Sequence, residues 1–413
     1  MKIVKYNELD ENFFKYIEYD ELSTIKEFIQ KVKENGDKAL IDISANFGEN
    51  ISSIEVPKAK MEECVAKLNK DTKWALKKAI KQVRDFAEKQ FECIKELSYC
   101  DSNSTLGHRI IPLKRIGAYV PGGRYPLPSS AIMTIIPAKV AGVEEVIVCS
   151  PKIDDITIAA ASLSGANRIF NVGGAQAIAA MAYGTETIPE VDKIVGPGNK
   201  YVTMAKREVY GKCGIDFLAG PSEILIVADD TAIPAYIAAD LLSQAEHDAD
   251  AQSILITTSD KLIKMVTKEL DEQLEKLETK ETAKQALLNS FIIKIDSLDE
   301  AILISNKKAP EHLQLCFDKA EELSKAFTNY GSLFIGNYSA EVFGDYCSGT
   351  NHVLPTNGVA RYTGGLSVFD FVKIQTYQVI SKELAKEILI PVSSHIANLE
   401  GLMAHKNAAL IRE

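Results

Sequence analysis

The chain has 413 residues, of which 46% are hydrophobic and 25% charged, a composition typical of a globular protein with an ample core. Its formal net charge of −10, from 57 acidic and 47 basic residues, argues against a nucleic-acid-binding protein, which needs a basic surface. Length alone favours roughly two or three domains.

The amino terminus does not have the pattern of a targeting segment. Its first residues mix charged and apolar side chains and lack the apolar core of a signal peptide. The most apolar run, 129–143, is shorter than the roughly 18–20 residues of a membrane span, and Pro137 and Lys139 interrupt it. We therefore expect a cytoplasmic protein with no membrane and no nucleic-acid partner.

Residues 1 to about 105 are predicted to be mainly helical. The segment 20–44 has amphipathic spacing, with Gly36 as a C-terminal stop, and 61–91 is one long helix or two. No residue pattern in this region indicates chemistry, so we interpret it as a scaffold that packs on the core.

From about residue 109, short β-branched runs alternate with helical stretches, a pattern typical of βαβ units and a parallel sheet. The runs are RIGAYVPGG, EEVIVCSPK, RIFNVGGAQ, DKIVGPGNK and EILIVADD, followed by QSILITTSD, SFIIKIDS and GSLFIGN. They are apolar on both faces, as expected of strands covered by helices. The pattern predicts two α/β units with a boundary near residue 225, and an amphipathic helical tail from about residue 370.

Three of these runs end in glycine-rich loops, at 119–126, 172–177 and 195–202. Ligands bind outside the carboxyl ends of parallel strands, and glycine lets backbone N–H groups approach a phosphate. The loops therefore indicate a nucleotide or another anionic cofactor, although ordinary tight turns also favour Gly and Pro. A standard dinucleotide fingerprint is not indicated, because Tyr201 stands where the third glycine of GxGxxG would be.

Candidate metal ligands lie in the second half of the chain. The stretch SQAEHDADA resembles a helix end, on which Gln244 and His247 would share a face. His247, Asp345 and His405 could bind a metal if the fold brings them together, although no local spacing such as HExxH supports this. The seven cysteines include no CxxC pair, so a thiolate zinc site is not expected.

Glu311 and His312 are adjacent and follow Pro310. They could supply two proton-transfer groups to one site, or they could form a solvated turn. The residues by themselves are compatible with a metal-containing dehydrogenase that uses a nucleotide cofactor, a metal-dependent hydrolase or a phosphosugar-binding transferase.

Long motifs from about residue 110 to the end resemble the histidinol dehydrogenase family. In chain order they are GAYVPGGRYPLPSSAIM, GGAQAIAAMAYGTETIP, VDKIVGPGNKYV, GIDFLAGPSEILIVAD, DLLSQAEHD, APEHLQL, GDYCSGTNHVLPT and EGLMAHKNA. The resemblance implies an α/β fold with two incomplete Rossmann-like parallel-sheet domains, a helical N-terminal region and an extended helical C-terminal tail. It also implies an intertwined homodimer, in which the tail completes the partner's active site.

From this resemblance we expect four parts of the chain: an N-terminal arm (1–15), a first α/β domain with the catalytic and zinc residues (16–118 with 226–366), a second α/β domain with the NAD loops (119–225), and a dimerisation tail (367–413).

The resemblance also assigns individual site residues. Glu311 and His312 match the catalytic acid/base pair. The zinc ligands would be Gln244, His247, Asp345 and His405. The substrate contacts would be these six residues together with Ser222, His352 and Glu400. The NAD contacts would be Tyr119, Gln176 and Asn199, one in each glycine loop. Cys347 and Asn357 match no role and are interpreted as structural.

The implied reaction is the oxidation of L-histidinol to L-histidine, the last step of histidine biosynthesis, in two successive hydride transfers to NAD through a bound aldehyde. His312 would take the alcohol proton, Glu311 would activate the water that adds to the aldehyde, and zinc would position the substrate. The alternatives are a related zinc- and NAD-dependent dehydrogenase of another amino or sulfonated alcohol, and a catalytically silent metabolite-binding regulator.

Overall fold

The computed structural model describes residues 1–17, 23–101, 103–122 and 125–413. Within these ranges the strands are β1 (Lys2–Lys5), β2 (Leu97–Cys100), β3 (Ser104–Pro112), β4 (Arg115–Tyr119), β5 (Glu145–Cys149), β6 (Arg168–Phe170), β7 (Lys193–Val195), β8 (Gly214–Ile215), β9 (Glu223–Ala228), β10 (Gln252–Thr257), β11 (Phe291–Lys294), β12 (His312–Cys316), β13 (Ser332–Ile335) and β14 (Val372–Ile380).

The helices connect and flank these strands. In the described ranges they are α1 (Ser23–Asn46), α2 (Lys58–Lys67), α3 (Lys70–Glu92), α4 (Pro128–Val140), α5 (Asp155–Ser164), α6 (Gly174–Tyr183), α7 (Lys200–Val209), α8 (Pro234–Ala245), α9 (Asp260–Leu274), α10 (Lys280–Leu288), α11 (Leu298–Lys308), α12 (Ala320–Leu323), α13 (Glu341–Tyr346), α14 (Lys382–Leu384), α15 (Ile390–Leu399) and α16 (Met403–Leu410). None of them is long and apolar enough to cross a membrane.

Two parallel sheets share one strand order. The five-stranded sheet runs β6-β5-β4-β7-β8, and the six-stranded sheet runs β1-β11-β10-β9-β12-β13. Apart from β1 at the edge, each sheet has its first strand in the centre, the next two on one side and the last two on the other. Each sheet therefore has most of the strand order of a Rossmann sheet, and the order occurs twice in the chain. The expected fold class of two incomplete Rossmann-like sheets is therefore confirmed.

The strands that were predicted from β-branched runs include the central strand of each sheet, β4 and β9, and the edge strands β6 and β13. Along β9 every residue is buried, and successive side chains contribute to opposite hydrophobic clusters, Ile224 to one and Leu225 to the other. The five-stranded sheet alternates in the same way, since Val146 and Ile147 lie in different clusters. Helices cover both faces, as the two-sided apolar runs predicted.

The N-terminal helices pack against the five-stranded sheet. Leu40 of α1 shares a cluster with Ile178 of α6, and Val83 of α3 shares another with Ile116 of β4. The expected grouping of 16–118 with 226–366 and the other domain boundaries stay a prediction. Gly36 interrupts α1 at a positive φ of 52°, in agreement with its predicted role as a helix stop.

Several strands differ from the sequence prediction. The segment 1–105, predicted to be mainly helical, also contains β1, β2 and the start of β3, and β14 occupies the start of the predicted helical tail. β14 pairs with β3 along its whole length in an antiparallel sheet with β2. Such exposed strands lack a two-sided apolar run, so only their pairing in the folded chain reveals them.

A buried ion pair holds the glycine loop after β7. Lys206 Nζ lies 2.6 Å from both Asp216 Oδ1 and the carbonyl oxygen of Gly196, and Gly196 N–H donates to Asp216 Oδ2 at 2.7 Å. Gly196 has a φ of +113°, and a Cβ there would lie 2.1 Å from the carbonyl oxygen of Tyr119. The loop therefore requires glycine and is held in one conformation.

Replacing Lys206 by methionine is expected to lower the free energy of unfolding by about 3–5 kcal/mol, because Asp216 would be left as an unpaired buried charge. Denaturant unfolding of the purified protein measures this. Lys212→Met is the matched control, since its ion pair with Glu190 is exposed (side chains 42% and 56% accessible) and should contribute less than about 1 kcal/mol. Equal effects of the two substitutions would contradict the buried-charge argument.

Candidate active site between the two sheets

A cavity of about 1190 Å³ lies between the carboxyl end of the five-stranded sheet and the amino end of the six-stranded sheet. Pro121 and Asn199 reach it from the loops after β4 and β7. Ser222 precedes β9, while Glu311 and His312 stand at the start of β12. The expectation that ligands bind outside the carboxyl ends of strands therefore holds for the five-stranded sheet. The six-stranded sheet borders the cavity with the amino ends of its strands.

The cavity brings together most of the site residues predicted from the sequence. Those that line it are Asn199, Ser222, Gln244, His247, Glu311, His312, Asp345 and His352. They come from distant parts of the chain and meet only because the two sheets face each other. Their roles stay predictions, but their proximity is a property of the fold.

The backbone of Glu223 orients both members of the predicted acid/base pair. Its N–H donates to Glu311 Oε2 at 2.9 Å, and its carbonyl oxygen lies 3.2 Å from His312 Nδ1. Because a carbonyl oxygen only accepts, Nδ1 must carry the hydrogen, which leaves Nε2 as the basic nitrogen of the neutral ring. Both side chains are buried, so the alternative of a solvated turn is wrong.

Two further contacts lock Glu223 in place. Its carboxylate pairs with Lys308 Nζ at 2.9 Å and accepts from the backbone N–H of Asn357 at 2.9 Å. Asn357 has a positive φ of 57°, and its side-chain amide exchanges two hydrogen bonds with the backbone of Ile17. Asn357, which matched no role in the sequence, therefore connects Ile17 to the residue that orients the acid/base pair.

Buried carboxylates surround His312. Its Nε2 lies 3.7 Å from Glu341 Oε1 and 3.6 Å from Asp345 Oδ1. Burial favours the neutral imidazole, but the carboxylates of Glu311, Asp345 and Glu341 outweigh it and raise the pKa of His312 to about 10. Burial disfavours the ionised carboxylate of Glu311 and raises its pKa to about 8. This excess of buried acidic groups fits a divalent cation, which would stabilise the carboxylates and favour the neutral imidazole.

His352 also lines the cavity. Its Nδ1 lies 2.8 Å from the carbonyl oxygen of Asp345 and its Nε2 lies 3.4 Å from Ser130 Oγ. Burial lowers the pKa of His352, so the ring is neutral near pH 7. Nδ1 then donates to the carbonyl, and Nε2 accepts from the serine hydroxyl or from a ligand.

Gln244 and His247 have the properties of metal ligands. Both amide atoms of Gln244 are buried and have no partner among the described residues, which is costly unless a ligand completes the site. His247 Nδ1 lies 2.9 Å from the Ser243 carbonyl, so it donates there and leaves Nε2 for a metal, a common arrangement for ligand histidines. The predicted helix ends at Ala245, before His247, but both side chains still line the cavity.

Glu341 is a site residue that the sequence analysis missed. It is fully buried, and its carboxylate lies with the ligand atoms of His312 and Asp345, all within 4.8 Å of one another. This set overlaps the predicted zinc ligands only at Asp345. The signal in the sequence was weak: Glu341 precedes Asp345 by four residues, which places both on one face of α13.

The predicted tail residues Glu400 and His405 are exposed and are not among the described residues that line the cavity. Glu400 follows α15 and His405 lies in α16. Within one chain, therefore, the tail does not bring these two side chains into the cavity.

The three predicted NAD residues lie at or after the carboxyl ends of β4, β6 and β7 but differ in exposure. Tyr119 Oη accepts from Gly174 N–H at 3.1 Å, and Gln176 Nε2 donates to Ser44 Oγ at 3.3 Å, with both side chains buried. Asn199 caps α7 and lines the cavity. Gly123 and Arg124 of the first glycine loop lie outside the described residues. The NAD contacts stay a prediction.

Comparison with known proteins gives consistent matches over the whole chain. Residues 16–413 match the family model described as histidinol dehydrogenase. The histidinol dehydrogenase of Clostridium acetobutylicum is 46% identical over 95% of this chain and 92% of its own, and that of Methanocaldococcus jannaschii is 45% identical over 94% and 91%. The crystal structure of histidinol dehydrogenase from Elizabethkingia anophelis superimposes with a TM-score of 0.93 at 36% identity, covering 100% of this chain and 98% of that one.

Proposed function

The chain belongs to the histidinol dehydrogenase family and catalyses the last step of histidine biosynthesis, and from this premise we propose how its side chains carry out the reaction. L-histidinol is oxidised to L-histidine in two successive hydride transfers to NAD, and the intermediate aldehyde stays bound. The observation that carries the proposal is the anchored Nδ1 of His312, which leaves Nε2 without a hydrogen-bond partner among the described residues, in a side chain that lines the cavity with the predicted substrate residues.

In the first oxidation, His312 Nε2 accepts the proton of the substrate hydroxyl while the carbon loses hydride. The ring is oriented for this because Nδ1–H donates to the carbonyl of Glu223. The same nitrogen serves again when the aldehyde hydrate loses its second hydride. Without that anchored tautomer, either ring nitrogen could carry the hydrogen and the base would be only partly available.

Between the two oxidations, Glu311 removes a proton from the water that adds to the aldehyde carbon. Its Oε2 is held by the N–H of Glu223, 2.9 Å away. Burial raises the pKa of Glu311 to about 8, which brings it closer to the range in which a general base is effective near neutral pH.

Zinc and NAD complete the site. Gln244, His247 and Asp345 would hold the zinc ion, together with His405, and Ser222, His352 and Glu400 would contact the substrate. Bound zinc would supply positioning of the substrate. Tyr119, Gln176 and Asn199 would hold NAD, whose chemistry would be hydride acceptance. The cavity therefore orients one substrate for two reactions.

The number of NADH molecules formed per L-histidinol tests the proposal. We expect two with zinc-loaded protein, none after chelator stripping, and two again after zinc is restored. One NADH would mean that the aldehyde escapes before Glu311 has acted. No NADH with the zinc-loaded protein would favour another amino or sulfonated alcohol as substrate, against which His352 and Glu400 argue because they suit the polar nitrogens of histidinol.

We further propose a cytoplasmic homodimer in which the tail of one subunit completes the site of the other. Large apolar side chains are exposed along the tail and on the three-stranded sheet: Leu97, Tyr99, Ile374, Val379, Ile388, Val392, Ile396, Leu399, Met403 and Ile411. A surface of this kind is typical of an interface between subunits. It also accounts for the distance of Glu400 and His405 from the cavity of their own chain.

Mixing two inactive variants tests this sharing. After subunit exchange, His312→Asn with His405→Ala should recover about a quarter of wild-type activity, because half of the dimers then contain one intact site. His312→Asn with His247→Asn is the matched control and should recover none, since both changes lie in the cavity half of the site. No recovery in the first mixture, after exchange is confirmed, would place the tail in its own subunit's site.

A further inference from the structure

Pro137 lies inside helix α4 and leaves one backbone carbonyl of that helix without its usual donor. In an α-helix the carbonyl of residue i accepts from the N–H of residue i+4, and proline has no N–H. The carbonyl that loses its donor is that of Met133, a fully buried residue. A buried carbonyl without a partner is costly, so this position needs a donor from outside the helix.

Asn351 supplies that donor from the loop that follows α13. Its side-chain Nδ2 donates to the Met133 carbonyl oxygen at 2.7 Å, and its Oδ1 accepts from the backbone N–H of Val353 at 2.9 Å. Because a carbonyl oxygen only accepts and a backbone N–H only donates, these two bonds fix which way the amide is turned. Asn351 therefore fastens this loop to helix α4.

The same loop carries His352, the residue next to Asn351. His352 Nδ1 lies 2.8 Å from the carbonyl oxygen of Asp345, and its Nε2 lies 3.4 Å from Ser130 Oγ. Ser130 and Met133 stand three residues apart in α4 and so share a face of the helix. One face of α4 thus contacts two consecutive loop residues, one through a backbone carbonyl and the other through a serine hydroxyl.

We propose that Asn351 is a positioning residue for His352: its bond to the carbonyl that Pro137 leaves free holds the His352 ring among the residues that line the cavity. The inference rests on the proposed contact between His352 and L-histidinol. Residues 351–356 form neither helix nor strand, so bonds made by side chains, such as this one, fix the position of the loop. Asn351 is not among the described residues that line the cavity, so it acts on the substrate only through its neighbour.

The test is the dissociation constant of L-histidinol for the zinc-loaded, full-length protein, measured by titration calorimetry without NAD so that no turnover occurs. Wild type, Asn351→Ala, His352→Ala and the double variant form a double-mutant cycle. Asn351→Ala should weaken binding about 3- to 10-fold, the range expected when one hydrogen bond is misplaced. In the His352→Ala background it should change binding less than about twofold, because the side chain that it positions is missing.

Each other outcome of the cycle counts against the proposal. A similar loss in both backgrounds overturns it, because Asn351 would then act on the fold as a whole. If His352→Ala weakens binding and Asn351→Ala does not, the positioning role alone fails. If His352→Ala binds L-histidinol like wild type, the proposed substrate contact fails and the inference fails with it.

Asn306→Ala is the matched control for a general loss of stability. The side chain of Asn306 makes the same two kinds of bond, since it donates to the Ala326 carbonyl at 2.9 Å and accepts from the Thr328 N–H at 2.7 Å, and it is not among the described residues that line the cavity. Its removal should lower the urea midpoint about as much as Asn351→Ala does and leave the affinity for L-histidinol unchanged. Equally weakened L-histidinol binding in Asn306→Ala would contradict a specific role of Asn351.

Pro137→Ala tests the origin of the free carbonyl. It restores an N–H at residue 137, which can donate to the Met133 carbonyl within the helix. Asn351→Ala removes two hydrogen bonds, so the drop that it causes in the urea midpoint should be about halved in the Pro137→Ala background, where one of the two is replaced. The same drop in both backgrounds would show that Pro137 does not create this acceptor.

Discussion

His312→Asn is expected to lower kcat for L-histidinol oxidation by about a thousandfold, with little change in KM. The asparagine amide N–H can still donate to the carbonyl of Glu223, so the start of β12 should keep its conformation. What is lost is Nε2, the nitrogen that accepts the hydroxyl proton, and general base catalysis of this kind contributes about 10²- to 10⁴-fold. Steady-state measurement of NADH formation at saturating NAD determines both constants.

Glu311→Gln tests the other member of the acid/base pair and should affect the two half-reactions differently from His312→Asn. Because the proposed role of Glu311 is to act on the water that adds to the aldehyde, this variant should slow oxidation of added aldehyde more than oxidation of the alcohol, whereas His312→Asn should slow both. Rapid-mixing experiments started from each substrate separate the half-reactions. If Glu311→Gln slows both equally, the division of labour between the two residues is wrong. If His312→Asn leaves kcat within tenfold of wild type, another group is the base.

His247→Asn is expected to abolish zinc binding and activity together. The imidazole Nε2 is free to bind the metal because Nδ1 donates to the Ser243 carbonyl, and asparagine has no atom at the Nε2 position. We expect the zinc dissociation constant to rise by about two orders of magnitude or more, so that the purified protein contains little zinc. Elemental analysis of dialysed protein and the NADH assay on the same sample measure both effects.

His108→Asn is the matched control for this loss. His108 lies in β3 with its Nε2 2.9 Å from the Lys95 carbonyl, and it is not among the described residues that line the cavity. Zinc content and kcat of this variant should equal those of the wild type. Stoichiometric zinc in His247→Asn would show that His247 is not a ligand, and the cluster of His312, Glu341 and Asp345 would then be the alternative site.

The parts of the fold with a strong local signal were predicted correctly. Every predicted β-branched run contains a strand of one of the two parallel sheets, and Gly36 interrupts α1 as expected. Strands without such a signal were missed. β12 was not predicted, because Pro310 and the charged pair Glu311-His312 stand at the start of its short apolar run, and its place between β9 and β13 makes it a strand of the six-stranded sheet.

The sequence predicted most residues of the candidate site but not how they are arranged. Motif resemblance selected Gln244, His247, Asp345 and the Glu311-His312 pair, and the cavity contains all of them. It did not select Glu341. No motif marks an acidic residue as buried, because a glutamate at a helix start is ordinarily solvated, favoured there by the helix dipole.

The sequence by itself determined the strands that have continuous apolar runs, because burial on both faces requires such runs, and it determined which side chains have the chemistry for proton transfer and metal binding. Only the tertiary structure decided where those side chains meet. Two sheets of the same order face each other end to end, so the carboxyl end of one and the amino end of the other form a single cavity. It also decided that the Glu223 backbone selects the tautomer of His312 and that the amide of Gln244 has no partner in its surroundings among the described residues. Such contacts join residues far apart in the chain, and no local pattern encodes them.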